Sequence, residues 1–300
     1  MVKISVKSKK VATTNEALTP VQIPIPTSTP VQIPIPTSTP ATLGEYDNPT
    51  GFDKAKTGVT YGTMSTVEYS STTTSKTRKA KVILPPNYTT SKKYPVLYLL
   101  HGIGGDENEW LGGNPNYVVN NLVAQNEAKE MIIVLPNVRA RANDTANPSD
   151  IYSLGHYQAF DNFINDLRDD LMPFIASKYS IATGRENTAI AGLSMGGRES
   201  LYIGFTMPET FGYIGAFCPA PGILPYTLNH VTEPGLFNED SFKLSDTYNR
   251  NTLVMITIGA SDNVVSNNPT RYHNTLTKNG TEHICFTRPG GHDFTVWKSG

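Results

Sequence analysis

The chain has 300 residues, of which 38% are hydrophobic and 17% are charged, and its formal net charge is −1. One α/β domain of roughly 250 residues, with a large buried core, would account for most of this length. The near-neutral charge argues against a basic nucleic-acid-binding surface or a membrane-surface helix. No apolar run approaches the ~20 residues needed to cross a bilayer. We therefore expect neither nucleic acid nor a membrane among the partners.

The first 44 residues differ in composition from the rest. Residues 21–30, Val-Gln-Ile-Pro-Ile-Pro-Thr-Ser-Thr-Pro, recur without change as residues 31–40. Proline within each repeat prevents a helix and removes backbone donors, which predicts an extended, semi-rigid spacer. We expect a disordered N-terminal segment with this Pro/Thr-rich linker over residues 1–44, and a folded domain over residues 45–300.

The linker also bears on location. Spacers of this composition join modules of extracellular polysaccharide-degrading enzymes, so the repeat favours a secreted protein tethered to other modules. Residues 1–7, Met-Val-Lys-Ile-Ser-Val-Lys, lack the apolar core of a signal peptide, which leaves an intracellular location open. A disordered tail without a partner is the alternative interpretation of the repeat.

From about residue 60 the pattern is that of alternating strands and helices. Residues 63–70 and 78–85 predict an antiparallel opening pair of strands. Apolar runs predict further strands over residues 94–100, 131–136, 187–193, 211–217, 252–258 and 283–287. Helices are predicted over residues 117–127, 159–179, 195–206 and 267–278. This alternation predicts a mostly parallel, twisted sheet flanked by helices, with ligands bound beyond the carboxyl ends of the strands.

Residues 192–196, Gly-Leu-Ser-Met-Gly, follow a predicted strand and open a predicted helix. This is the setting of the G-x-S-x-G nucleophile elbow of α/β-hydrolases, and Ser194 is the candidate nucleophile. The turn that lifts the hydroxyl is strained, so Gly192 and Gly196 would prevent collisions with the neighbouring strand and helix. An ordinary Gly/Ser-rich turn is the alternative.

The α/β-hydrolase order of the catalytic residues is Ser, then Asp or Glu, then His. Asp262 follows the strand predicted over residues 252–258, and His292 follows the last predicted strand, so these are the candidate acid and base. His283 opens its strand at the wrong end of the sheet, His273 is expected on a helix surface, and His230 lies in a polar loop. A turn-forming Asp262 and a capping His292 are the alternatives.

Donors for the oxyanion are expected from two backbone amides. One is the amide after the nucleophile, Met195. The other is assigned to Ile103, in the loop Leu-His-Gly-Ile-Gly-Gly over residues 100–105. We expect His101 in that loop to be a structural residue rather than a second base.

Neither a cofactor nor a metal is implied. The sequence has no H-E-x-x-H motif, no paired C-x-x-C motif, no dinucleotide fingerprint and no phosphate loop. Its two cysteines, Cys218 and Cys285, each lie in an apolar strand-like run, which predicts buried free thiols and leaves a disulfide as the alternative.

Three stretches, residues 98–105, 189–197 and 290–297, resemble the feruloyl esterase modules of cellulosomal xylanases. These modules belong to carbohydrate esterase family 1, which also holds acetyl xylan esterases and is related to the esterase D and mycolyltransferase families. The similarity runs from about residue 45 to the C-terminus, and it implies an α/β-hydrolase fold. It also implies a last helix beyond Trp297; because the sequence ends at Gly300, we expect that helix to be missing or incomplete.

The resemblance implies the triad Ser194, Asp262 and His292, with the Ile103 and Met195 amides as the oxyanion hole. It further implies hydrolysis of feruloyl (hydroxycinnamoyl) esters on plant cell-wall arabinoxylan through an acyl-enzyme. An acetyl xylan esterase is the main alternative, followed by an intracellular esterase D-like thioester hydrolase and a non-catalytic carbohydrate-binding module.

A cinnamoyl group needs an apolar slot beside the serine, and each candidate for lining it is equally suited to core or surface packing. The candidates are Trp110, Leu111, Pro221, Ile223 and Trp297.

Overall fold

The computed structural model describes residues 48–228 and 231–300, so the predicted linker over residues 1–44 and His230 lie outside the described residues. Within these ranges an eight-stranded sheet carries the fold, and a short two-stranded hairpin lies apart from it. The sheet strands are β1 (Thr63–Ser71), β2 (Lys76–Leu84), β3 (Val96–Leu100), β4 (Ile132–Pro136), β5 (Thr188–Leu193), β6 (Tyr213–Phe217), β9 (Leu253–Gly259) and β10 (Ile284–Arg288). The hairpin strands are β7 (Tyr226–Leu228) and β8 (Val231–Glu233).

The strand order is β1-β2-β4-β3-β5-β6-β9-β10. β2 runs antiparallel to β1 and to β4, and every neighbouring pair from β4 to β10 is parallel. The predicted mostly parallel sheet with an antiparallel opening pair is therefore confirmed. Because the strands from β3 onward run the same way, their carboxyl ends meet along one edge.

Helices cover the sheet. They are α1 (Pro115–Ala124), α2 (Leu154–Asp161), α3 (Phe163–Asp166), α4 (Met172–Lys178), α5 (Met195–Thr206), α6 (Asp246–Asn249), α7 (Asn268–Lys278) and α8 (Phe294–Trp297). A π-helical turn spans Leu167–Leu171, and 3-10 turns span Glu109–Gly113 and Arg185–Asn187. Among the described helices, none is both long enough and apolar enough to traverse a lipid bilayer.

The helix predicted over residues 159–179 is a broken series, from α2 through the π-helical turn to α4. Its apolar period nevertheless identified the buried face, because Phe160, Leu167 and Ile175 are all fully buried. The π-helical turn carries Asp170, whose carboxylate accepts hydrogen bonds from the backbone N–H groups of Thr72 (3.0 Å) and Thr73 (3.1 Å). The turn thus joins the helical layer to the β1–β2 connection.

Five short elements were not predicted: the 3-10 turns Glu109–Gly113 and Arg185–Asn187, the β7–β8 hairpin, α6 and α8. Each covers only a few residues, which is too short for a hydrophobic period to be recognised. The two cysteines are free thiols, with Cys218 buried and Cys285 partly buried, so the prediction of free cysteines is confirmed.

Candidate active site

Ser194 occupies the turn between β5 and α5. Its φ of 53° and ψ of −118° lie in a region that non-glycine residues rarely adopt. The surrounding backbone holds this conformation, because Ser194 N donates to Phe217 O (2.9 Å) and Ala220 N donates to Ser194 O (3.0 Å). Strand β6 and the loop that follows it thus stabilise this strained backbone conformation.

Two glycines make this turn possible. A Cβ atom on Gly192 would lie 2.9 Å from the Cα atom of Gly196, and one on Gly196 would lie 2.6 Å from the carbonyl oxygen of His101. Neither obstacle is a flexible side chain, so neither could move aside. The first turn of α5 therefore packs directly against β5 and against the end of β3.

The structure brings Ser194, His292 and Asp262 together at the carboxyl ends of β5, β10 and β9. His292 Nε2 lies 2.9 Å from Ser194 Oγ, and His292 Nδ1 lies 2.6 Å from Asp262 Oδ2. Because an ionised carboxylate only accepts hydrogen bonds, the Nδ1 atom carries the proton. The lone pair of Nε2 then faces the serine hydroxyl, which is the arrangement of a general base and its nucleophile.

Backbone groups fix the carboxylate of Asp262. Its Oδ1 atom accepts from Val264 N (2.9 Å) and Val265 N (3.2 Å), while Oδ2 faces His292. The side chain of Asp262 is only 2% exposed. A buried carboxylate with both oxygens occupied in this way can orient an imidazole ring without rotating.

The thiol of Cys218 lies next to this pair. In the described part of the chain, Cys218, Asp262 and His292 form the group of three potential metal ligands, with ligand atoms within 4.8 Å of one another. Burial, together with the charge of Asp262, raises the pKa of Cys218 to about 12. His292 Nδ1 and Asp262 Oδ2 already face each other at 2.6 Å, so the Cys218 thiol is a packed neighbour of this pair.

The loop that holds the predicted oxyanion donor lies beside Ser194, since a Cβ atom on Gly102 would be 3.4 Å from Ser194 Cβ. Within residues 48–228 and 231–300, no hydrogen bond uses the amide of Ile103 or of Met195 as its donor. Both predicted donors are therefore free to bind an oxygen atom.

His101 in the same loop is buried and is not a second base. Its Nε2 atom accepts from Val138 N (2.8 Å), so its Nδ1 atom carries the proton and donates to Gly102 O (2.7 Å). Burial, assisted by the charge of Arg139, lowers the pKa of His101 to about 3. The ring is a neutral hydrogen-bonding element of the loop.

The five residues expected to line an acyl slot have different environments. Leu111 and Pro221 are partly exposed, and Trp297 packs edge-on against the His292 ring with centroids 5.0 Å apart. Ile223 is fully buried, and Trp110 is buried with its indole N–H donating to Leu100 O at 2.7 Å. Trp110 and Ile223 therefore belong to the core, because neither has surface open to a substrate in this conformation.

A buried ionic cluster lies beneath the loop that follows β6, and sequence reasoning did not identify it. Arg198 contacts the carboxylates of Asp161 and Glu199, and Gly222, at φ 112°, leaves room for the guanidinium. Burial raises the pKa of Glu199 to about 8. The adjacent charges of Arg198 and Glu199, in the helix predicted over residues 195–206, were the signal that could have revealed this cluster.

His273 was expected on a surface, but its ring is half-buried. His273 Nδ1 lies 2.7 Å from His283 Nε2, and His283 Nδ1 lies 2.8 Å from Thr281 O. The pair lies at the amino end of β10, away from Ser194. His283 therefore has the expected position, at the end of the sheet opposite to the candidate nucleophile.

Comparison with known proteins gives the family. The model of the Esterase family, described as "Putative esterase", matches residues 71–300. The chain is 34% identical to the endo-1,4-beta-xylanase/feruloyl esterase of Xylanibacter ruminicola over 163 residues, which are 52% of this chain and 22% of that protein. The chain thus spans about a fifth of the length of this curated relative.

Solved structures show the same fold. The CE1 ferulic acid esterase AmCE1/Fae1A of Anaeromyces mucronatus, in complex with ferulic acid, is 41% identical with a TM-score of 0.79, covering 85% of this chain and 93% of that one. The feruloyl esterase module from Clostridium thermocellum, complexed with sinapinate, shares the fold at 18% identity and a TM-score of 0.63, covering 89% of this chain and 93% of that one. The chain therefore belongs to the Esterase family, together with the CE1 ferulic acid esterases.

Proposed function

We propose that the protein is a serine esterase that hydrolyses feruloyl esters on plant cell-wall xylan. The observation that carries the proposal is the continuous line from Ser194 Oγ through His292 to Asp262, with separations of 2.9 Å and 2.6 Å. The feruloyl substrate class is supported by the 41% identity to an enzyme whose structure contains ferulic acid.

Acylation follows from the geometry. Ser194 Oγ attacks the ester carbonyl carbon while His292 Nε2 accepts the hydroxyl proton, and Asp262 stabilises the imidazolium. The carbonyl oxygen becomes an oxyanion and accepts hydrogen bonds from the Ile103 and Met195 amides. When this intermediate collapses, the ester C–O bond breaks and His292 protonates the departing sugar alkoxide. Ferulate remains bound to Ser194 as an acyl ester.

Deacylation reverses the roles with water as the nucleophile. Water attacks the acyl carbonyl while His292 Nε2 accepts one of its protons, and the same two amides hold the second oxyanion. Collapse breaks the bond between Ser194 Oγ and the acyl carbon, and His292 returns its proton to the serine. Ferulic acid leaves, and the free enzyme is restored.

The substrate test compares methyl ferulate with acetylated xylan. We expect hydrolysis of methyl ferulate, with release of ferulic acid from feruloylated arabinoxylan. An enzyme that deacetylates xylan and leaves methyl ferulate intact would be an acetyl xylan esterase. Activity confined to small thioesters would instead indicate an esterase D-like hydrolase.

The mechanism is tested at the proposed nucleophile and base. Ser194→Ala and His292→Ala should each lower kcat by about 10³- to 10⁶-fold, since the residues of a triad act as a unit. Ser177→Ala, on the exposed surface of α4, and His273→Ala provide matched controls that should keep activity. A fluorophosphonate should label the wild type and not Ser194→Ala. A carbohydrate-binding module would show neither reaction nor dependence on Ser194.

We propose further that the protein acts outside the cell, tethered to other modules. The support is the Pro/Thr repeat over residues 21–40 and the likeness to a xylanase/feruloyl esterase many times longer than the matched segment. Detection of the activity in the culture medium, on a polypeptide that also binds or cleaves xylan, would test both statements.

A further inference from the structure

We propose that Glu109 is a positioning residue of the oxyanion hole. Its carboxylate accepts the hydrogen bond of the Gly102 amide, so that the neighbouring amide of Ile103 is the donor to the substrate. The proposal rests on the serine-esterase function above. It concerns two neighbouring amides in one loop, of which only one has a partner in the protein.

Glu109 contacts the loop directly. Glu109 Oε2 accepts a hydrogen bond from Gly102 N at 2.6 Å, a short distance typical of a charge-assisted bond. The loop lies closely around this carboxylate, since a Cβ atom on Gly105 would lie 2.6 Å from Glu109 Cδ. The Glu109 carboxylate therefore contacts both ends of the segment from Gly102 to Gly105 and holds its first amide.

The peptide group that joins Gly102 to Ile103 is held at its carbonyl end. Its carbonyl oxygen accepts from His101 Nδ1 (2.7 Å) and from Gly105 N (3.2 Å). A trans peptide is planar, so its N–H points away from its C=O. Fixing the Gly102 carbonyl therefore also fixes the direction of the Ile103 N–H.

The other end of Ile103 is held as well, because Ile103 O lies 2.9 Å from His156 Nε2. Three consecutive peptide groups of the loop thus have partners on the protein side: the Gly102 N–H, the Gly102 carbonyl and the Ile103 carbonyl. The Ile103 N–H between them has none within the described residues. The Ile103 N–H is therefore held in one direction, in a loop that packs against Ser194, as preorganised oxyanion stabilisation requires.

The position of Glu109 is itself fixed. It begins the 3-10 turn Glu109–Gly113, and the next residue, Trp110, is buried with its indole N–H donating to Leu100 O at 2.7 Å. Trp110 therefore anchors this turn to the end of β3, directly before the loop. This gives Trp110 a supporting role in place of the predicted contact with substrate.

The charge of Glu109 would oppose the negative charge that develops on the substrate oxygen, so the carboxylate does not stabilise the oxyanion itself. Arg139, which donates to Gly105 O, partly offsets that charge. The benefit of Glu109 must come from its acceptor oxygen. A neutral glutamine keeps an acceptor at the same place, whereas alanine removes it and aspartate withdraws it by one methylene group.

The experiment compares Glu109→Ala, Glu109→Asp and Glu109→Gln, with Glu107→Ala as the control on the same loop. We expect kcat for methyl ferulate to fall by about 10- to 100-fold in the Ala and Asp variants, with KM changed less than about threefold. Glu109→Gln should stay within about threefold of the wild type. A trifluoromethyl ketone, which forms an oxyanion adduct with Ser194, should lose affinity in parallel with kcat, while ferulate affinity should not change.

The outcomes separate the two proposals. A wild type that hydrolyses no ester would contradict the esterase function. An active wild type with a folded Glu109→Ala variant of equal kcat would contradict the role of Glu109 alone. Equal losses in Glu109→Gln and Glu109→Ala would do the same, because the charge and not the acceptor would then matter. If Glu109→Ala does not fold, the Gln and Asp variants decide the question.

Discussion

The imidazole of His292 stands perpendicular to the indole of Trp297, with ring centroids 5.0 Å apart and an interplanar angle of 90°. Phe294 also packs edge-on against the Trp297 ring, with ring centroids 5.1 Å apart. His292 follows two glycines, which do little to restrict its ring. The indole therefore limits how far the proposed base can turn away from Ser194 Oγ.

Replacement of Trp297 should affect both activity and stability. For Trp297→Ala we expect a loss of about 3–5 kcal/mol in the free energy of unfolding, because a large buried side chain leaves a cavity. We also expect kcat to fall by about 10-fold or more as the His292 ring gains freedom. Trp297→Phe should lose less stability and less kcat than Trp297→Ala, because it keeps an aromatic ring at this position. Urea unfolding and steady-state kinetics would measure the effects, and a folded Trp297→Ala variant with wild-type kcat would refute the steric role.

Asp262→Asn should leave the fold intact and remove most of the activity. The new amide can donate a hydrogen bond to His292 Nδ1, which forces the ring proton onto Nε2. The protonated Nε2 atom faces Ser194 Oγ and cannot accept the hydroxyl proton. The expected fall in kcat is about 10⁴-fold. Asp293→Asn is the matched control, because Asp293 is exposed and its role as the cap of Thr295 N is one that asparagine also performs. Comparable losses in both variants would argue against the assigned acid.

Gly196→Ala should prevent folding or strongly destabilise the protein, since the new methyl group would lie 2.6 Å from the carbonyl oxygen of His101. Gly155→Ala, near the start of α2, is the control, because there the nearest atom would be 3.9 Å away. That variant should be neutral or slightly stabilising, as alanine favours a helix over glycine. Soluble yield and thermal unfolding compare them. A stable, active Gly196→Ala enzyme would mean that the elbow is looser than described.

Stability should fall as the pH is lowered from 7 to 5. Burial lowers the pKa of His273 and His283, and burial lowers that of His101 to about 3, so His101 stays neutral in the folded protein across this interval. In the unfolded chain, with pKa values near 6.5, they bind protons below that pH. Their stabilising contribution is therefore complete above about pH 6.5 and is lost progressively below it.

For the fully buried His101 this loss should reach about 2 kcal/mol at pH 5. Asp150 and Asp170, whose pKa values are lowered to about 2, should contribute little in this interval because their loss begins at lower pH. Urea unfolding at pH 7 and pH 5 measures the difference, and His273→Gln should reduce it. Equal free energies at the two pH values would contradict the assignment of neutral, buried histidines.

Sequence reasoning located the three side chains that meet at the site because it used strand ends. Ser194, Asp262 and His292 each follow an apolar run, and parallel strands place such positions along one edge. The hydrogen bond from Gly102 to Glu109 could not be found in this way. A bond from a side chain to the backbone of a nearby loop leaves no hydrophobic period and has no fixed spacing.

The environment of apolar residues was also beyond the sequence. Trp110 and Ile223 are residue types that suit an apolar substrate slot, yet both lie in the core. The sequence does not distinguish the two environments, because aromatic and aliphatic side chains suit both. The break of the predicted long helix at the π-helical turn has a similar origin. Asp170 meets Thr72 and Thr73 only after distant segments have packed together, so local propensity does not reveal the turn.

Cys218 and Cys285, the two cysteines of the chain, are both unbonded thiols with pKa values raised to about 12. At neutral pH such sulfurs hold their protons and react slowly with oxidants. The described domain therefore contains no disulfide bond, and its folding does not require an oxidising environment.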